Sequence, residues 1–133
     1  MTEHDFQLEF FVKGNPKAQA RPRFGKYGNT YSPKTDWYRE CLSTAIKHKP
    51  KKPVEFGVAL ELYFNMPKPK GVKKSEVAHI KRPDYDNLAK AVTDAIVKAG
   101  VLKDDNIVSI ATISKMYENP VGCKIVIKSL RSF

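Results

Sequence analysis

Two aspartates spaced i and i+2, Asp84 and Asp86, stand in the segment Lys81-Arg82-Pro83-Asp84-Tyr85-Asp86-Asn87-Leu88-Ala89-Lys90, and an adjacent pair, Asp104 and Asp105, follows the turn at 99–103. Carboxylates grouped in this way can hold a hard divalent cation. With no cysteine or histidine inside these segments to recruit zinc, an all-oxygen set suits Mg2+ or Mn2+. Such an ion polarises a phosphoryl group, deprotonates an attacking water and stabilises a leaving oxygen. Lys90, one turn after Asp86 on the same helix face, can hold a phosphate oxygen or offset charge that builds on it. Each residue also has a plain structural reading: Asp86 as a helix N-cap, Asp104 and Asp105 as turn residues, and Lys90 as half of an i,i+4 pair with Asp94. Asp94 lies between Lys90 and Lys98 and reads as a rung of that charge ladder. His4, His48 and His79 fall on tails and loops with no partner at a catalytic spacing, so none is assigned as a base. No phosphate-cradling glycine loop and no nucleophile elbow is present.

Whether the carboxylates act together depends on the elements that carry them. A helix is expected over 86–99, with Asp86 as N-cap, an apolar stripe of Leu88, Ala91, Val92, Ala95, Ile96 and Ala99, and Gly100 as the stop. Just before it, in an extended Pro-bearing stretch, side chains at i and i+2 point the same way. A helix of about 14 residues rises about 21 Å. Asp105 therefore meets Asp84 and Asp86 only if the chain after Gly100 runs back along the helix, which a strand beginning near Asn106 permits without requiring.

The remaining elements follow from periodicity. Residues 6–12 alternate, with Phe6, Leu8 and Phe10 on one face. A helix over 36–48 places Trp37, Tyr38, Cys41 and Ala45 at helical spacing and stops at Pro50. Residues 54–66 carry the strongest period-two signal, from Val54 to Met66, and read as one long strand. The β-branched-rich stretches 106–117 and 122–129 flank Glu118-Asn119-Pro120-Val121 and are expected to pair as a hairpin. The fold expected is α+β: one domain over residues 1–133, with a largely antiparallel or mixed sheet, two helices packed against it, and the order strand-helix-strand-helix-strand-strand.

Charge indicates the partner. The 133 residues hold 24 Lys and Arg against 14 Asp and Glu, a net charge of +10, which points to a polyanion and first to nucleic acid. The stretch between Phe10 and Thr35 contains Lys13, Lys17, Arg21, Arg23, Lys26 and Lys34 and no acid. It is too rich in glycine and proline for a helix and reads as a basic loop or irregular hairpin, with Phe24, Tyr27 and Tyr31 available to stack on bases. A second basic block runs from Lys68 through Lys81 and Arg82. Lys17, Arg21, Arg23, Lys26, Lys81 and Arg82 are the expected DNA contacts. The hydrophobic fraction of 41% excludes a disordered tail, and no apolar run approaches the roughly 18 residues of a membrane span. The polar, acidic N-terminus is unlike a signal peptide, so a cytoplasmic protein is expected. Cys41 and Cys123 read as buried, reduced thiols.

The run Arg82-Pro83-Asp84-Tyr85-Asp86-Asn87-Leu88-Ala89-Lys90, followed by Asp94-Ala95, Ala99-Gly100 and Asp104-Asp105 before Ile107-Val108, resembles the signature of the RusA family of Holliday-junction resolvases. That pattern is Asp-x-Asp-Asn-Leu-x-Lys, a helix containing Asp-Ala, and a later Asp-Asp before a strand. Gly14-x-Pro16 and Arg21-Pro22-Arg23 are similar to the opening of many members. The resemblance implies a small homodimeric, Mg2+-dependent endonuclease that nicks opposing strands of four-way junction DNA in recombination and repair. It implies that Asp84, Asp86 and Asp105 are the essential metal-binding aspartates, Lys90 the catalytic lysine and Asp104 an auxiliary group. Where some members carry a run of arginines before the first aspartate, this chain has His79-Ile80-Lys81-Arg82-Pro83. Many members are encoded by phages or prophages. The competing reading is a non-catalytic DNA-binding or architectural module whose aspartates are caps and turns. A closed two-fold dimer would present two copies of one site, as paired cuts require.

Overall fold

The computed structural model describes residues 6–19 and 34–130, together with the backbone of 23–25 and 28–30. Strand β1 (Gln7–Lys13) buries Phe10 and Val12 and exposes Gln7, Glu9 and Phe11, the alternation expected from its sequence. Two short strands, β2 (Arg23–Gly25) and β3 (Gly28–Thr30), pair antiparallel as the irregular hairpin of the first basic stretch. Helix α1 (Asp36–His48) begins at Thr35, whose hydroxyl accepts from the Tyr38 N–H at 3.1 Å, and buries Trp37, Cys41 and Ala45. Strand β4 (Val58–Met66) is followed by helix α2 (Tyr85–Lys98), a 3-10 turn (Asp105–Ile107), β5 (Val108–Tyr117) and β6 (Gly122–Ser129).

The α+β class and the order of elements are as expected, and the sheet is mixed, with strand order β1-β6-β4-β5. β6 runs antiparallel to both β1 and β4, whereas β4 and β5 are parallel neighbours joined through α2. The unit β4-α2-β5 is thus a parallel crossover. The expected hairpin of the last two strands is not formed, because β4 lies between them. Two strand spacings are about 9.6 Å, which a four-residue link spans easily. The link 118–121 crosses the end of β4, where Asn65 Nδ2 donates to the Pro120 carbonyl at 2.9 Å. The long strand expected over 54–66 is also interrupted: Val54 forms an isolated parallel bridge to Leu102, and the sheet proper begins at Val58, beyond Pro53 and Gly57.

One hydrophobic core joins the inward faces of β1, β4 and β6 to α1 and α2, with Leu62, Phe64, Leu88, Ile96, Ile125 and Ile127 fully buried. Cys41 and Cys123 are buried free thiols, and burial pushes the Cys41 thiol up to about 12. At Gly122 the backbone has φ 151 and lies so close to β1 that a Cβ would meet the Val12 carbonyl and the Phe11 ring. Among the described residues no helix is long and apolar enough to cross a membrane.

Candidate active site

The acid pair sits where the approach to α2 becomes helical. Asp84, rather than Asp86, is the N-cap: its backbone is extended (φ −68, ψ 152) and its carbonyl accepts the first helical bond, from Leu88 N–H at 3.1 Å. The helix therefore begins at Tyr85, just after the extended Pro83-Asp84 approach, and Asp86 falls in its first turn. The Asp84 side chain makes no capping bond, and Asp86 Oδ1 accepts from the neighbouring Asn87 N–H at 3.0 Å. Both carboxylates are exposed. The approach is strapped to the sheet by Lys115 of β5, whose Nζ donates to the carbonyls of Lys81 at 2.6 Å and Pro83 at 2.9 Å.

Asp104 and Asp105 lie at the opposite end of α2. Asp104 caps the 3-10 turn, its Oδ1 accepting from Asp105 N–H at 2.7 Å. With Asp94, Lys98 and Tyr38 they line a shallow cleft of about 300 Å3. Lys90 lies between the two ends, and its Nζ is 3.5 Å from Asp94 Oδ1, a loose i,i+4 contact on the surface. The chain after Gly100 does not bring Asp105 back to Asp84 and Asp86. It leaves the C-terminal end of α2 and enters β5 there, so the 14-residue helix, about 21 Å of rise, stays between them. Among the described residues no three His, Cys, Asp or Glu side chains are close enough to hold one metal ion. A single copy of the chain therefore does not gather the three expected ligands, Asp84, Asp86 and Asp105, around one ion. Nor are these carboxylates used structurally as ion pairs: Asp84, Asp86, Asp104 and Asp105 make no salt bridge among the described residues, in a chain of 24 cationic and 14 acidic side chains.

Residues 13–128, which include every one of these aspartates, match the family model for endodeoxyribonuclease RusA. The chain belongs to the RusA family. It is also similar to an uncharacterised protein of Bacillus subtilis (strain 168), YqaN, with 29% identity over 138 residues covering 92% of this chain and 96% of the relative.

In this RusA-family chain a cleft of about 590 Å3 opens beside the N-terminus of α2, lined by Asn15, Pro16, Lys17, Ala18, Met66, Pro67, His79, Arg82, Pro83, Asp84 and Asn87. Two of the expected DNA contacts thereby meet beside Asp84, Arg82 from the same approach and Lys17 from a distant part of the sequence. Lys81 is exposed on the same approach, with its carbonyl bound by Lys115. Arg21 and Lys26 lie outside the described residues, and of Arg23 only the backbone, in β2, is described. The residue that sequence reasoning passed over is His79. It is 8% exposed, the one buried polar side chain among the described residues. It sits in an isolated bridge region between β4 and α2, where its N–H donates to the Lys115 carbonyl at 3.3 Å, and no periodicity announces a residue buried by such a contact.

Proposed function

We propose that this protein is a structure-selective endonuclease that resolves four-way DNA junctions by paired, symmetry-related nicks in recombination and repair, and that each cutting site is completed by two copies of the chain. The observation that carries this reading is the division of the unpaired aspartates between the two ends of α2. A two-fold axis running between antiparallel copies sets the Asp84 and Asp86 end of one against the Asp105 end of the other, and does so twice. Three carboxylates so gathered form an all-oxygen set suited to Mg2+, with Mn2+ as a substitute. Lys90 supplies positive charge one turn from Asp86, and Asp104 orients Asp105 through the cap bond.

The edge strand β5 supports such pairing. Beyond residue 114 its outer side is occupied by the 77–79 segment, through Lys115, Met116 and Tyr117. Residues 109–112 are exposed, Ile110 by 52%, and have no outer neighbour among the described residues. An uncovered edge of this kind is a template for another strand. Antiparallel pairing of two β5 edges brings the Asp105 end of one copy against the 77–84 segment of the other, next to Asp84.

The test is a synthetic four-way junction incubated with the protein in Mg2+ or in EDTA. Paired symmetric nicks that require the metal support the proposal. A second reading, favoured by the lack of a three-ligand cluster among the described residues, is a non-catalytic junction-binding module, and binding without cleavage under any divalent ion establishes that one instead.

A further inference from the structure

The carboxyl end of β4 and the N-terminus of α2 meet at the 590 Å3 cleft, the region of a parallel crossover where ligands most often sit. His79 is built into its wall. The His79 ring meets Tyr117 edge-on, with centroids 5.2 Å apart at 70°, and its backbone is tied to β5 through Lys115. Its Nδ1 is closed off from solvent and has no hydrogen-bond partner among the described residues. Burial, followed by the positive charge of Lys115 and then Lys81, holds its pKa below the ordinary histidine value, so the ring is neutral at pH 7. A buried polar atom without a partner is costly, and a phenyl ring would fill the same space with no such cost. A group of this kind in a native structure calls for a ligand, an ion or a chemical role.

The rest of the cleft indicates which ligand. Lys17 and Arg82 select an anion, Met66 and Pro67 offer an apolar wall to a sugar or base, and Asp84 places whatever binds there beside the cutting site. We infer that the cleft is a nucleotide subsite that takes the nucleotide adjoining the cut phosphate, with its backbone phosphate on Lys17 and Arg82 and with His79 hydrogen-bonded to it as a positioning residue. This rests on the nuclease reading above for the position of the cut, but not for the binding of a nucleotide.

The probe is thymidine 3′,5′-bisphosphate, added in EDTA and followed by the ring 1H–15N signals of the three histidines. It should move those of His79 and leave His48, which stacks on Phe10 at 5.0 Å, in place. His79→Phe should unfold at the parental temperature or above it, yet bind the bisphosphate at least about ten-fold more weakly. His79→Gln should recover part of the affinity. Unmoved His79 signals overturn the inference. So does a His79→Phe protein that melts lower but binds the bisphosphate as the parent does, the behaviour of a purely structural histidine. If the parent cuts no junction but the bisphosphate still reaches His79, the nuclease reading falls and the subsite stands. If the parent cuts and His79→Phe cuts and binds equally well, the subsite falls and the nuclease reading stands.

Discussion

A site shared between copies can be separated from a site within one chain by mixing two inactive variants. Asp84→Asn disables one end of α2 and Asp105→Asn the other, each nearly isosteric and each removing one charge. Each variant alone should cut no junction, while still binding it as tightly as the parent or more so, since less negative charge faces the phosphates. Co-refolded in equal amounts, they assort so that about half of the dimers are mixed. In a mixed dimer one site receives both defects and the other receives none, because the intact Asp84 of one copy meets the intact Asp105 of its neighbour. One good site in half of the dimers is about a quarter of the parental number of sites. The assay is single-turnover nicking of a labelled junction, and the mixture should recover about a quarter of the parental nicks. These should be single nicks rather than pairs, since the opposing site is dead. Mixing Asp84→Asn with Asp86→Asn, two defects at the same end, should recover nothing. If the carboxylates instead converge within one chain, the first mixture stays as inactive as its components, and that result would refute the two-copy argument.

Lys90→Ala should cost a few tenths of a kcal/mol in thermal unfolding, as its loose surface contact with Asp94 implies. Its single-turnover cleavage should fall about 100-fold, and an unchanged rate would return Lys90 to the charge ladder. Lys17→Ala and Arg82→Ala should each flatten the slope of log K against log salt for junction binding by about 0.9, and an unaltered slope would take that residue off the DNA. His79 makes stability depend on pH in a defined direction. Its folded pKa is depressed, so above about pH 6.5 neither state is protonated, whereas below it the unfolded chain takes up a proton that the folded chain refuses, and stability is lost as pH falls. A melting series from pH 7 to pH 5 should show that loss, and His79→Phe should reduce it. Gly122→Ala should destabilise by more than about 2 kcal/mol in denaturant unfolding, because the new Cβ meets the Val12 carbonyl at a backbone conformation that other residues rarely adopt.

Local signals in the sequence carried the local elements. Helical spacing and Pro50 give α1, and the stripe from Leu88 to Ile96 gives α2 and its buried face. Partnerships between strands were less legible. The four residues between β5 and β6 suit a hairpin, and only composition hints otherwise. β6 is apolar on nearly every residue from Cys123 to Ile127, as a central strand must be, whereas β5 carries Ser109, Thr112, Ser114 and Lys115, as an edge can. At the candidate site, the aspartates and the start of α2 to within about two residues were readable because capping and spacing are properties of neighbours in sequence, although the cap is Asp84 and not Asp86. The separation of Asp105 from Asp84 was not, since it depends on whether β5 starts at the near or the far end of α2. His79 was least accessible of all, because its burial comes from a bridge to a strand that lies more than thirty residues further along the chain.

The crossing of the 118–121 link over β4 has a bearing on how the molecule is assembled. It makes the last of the described strands the middle of the sheet: β6 pairs Lys128 with Gln7 on one side and with Ala59 on the other. Until β6 arrives, β1 and the β4-α2-β5 crossover share no strand pairing among the described residues, and each exposes an open edge. Closing such distant pairings means restraining nearly the whole chain before the contacts return any stability, which makes for high contact order and slow folding. During synthesis the two halves of the sheet therefore emerge as unjoined pieces, and the core closes only once residues 122–129 have left the ribosome. A chain cut short before Gly122 would lose the strand that holds its two halves together.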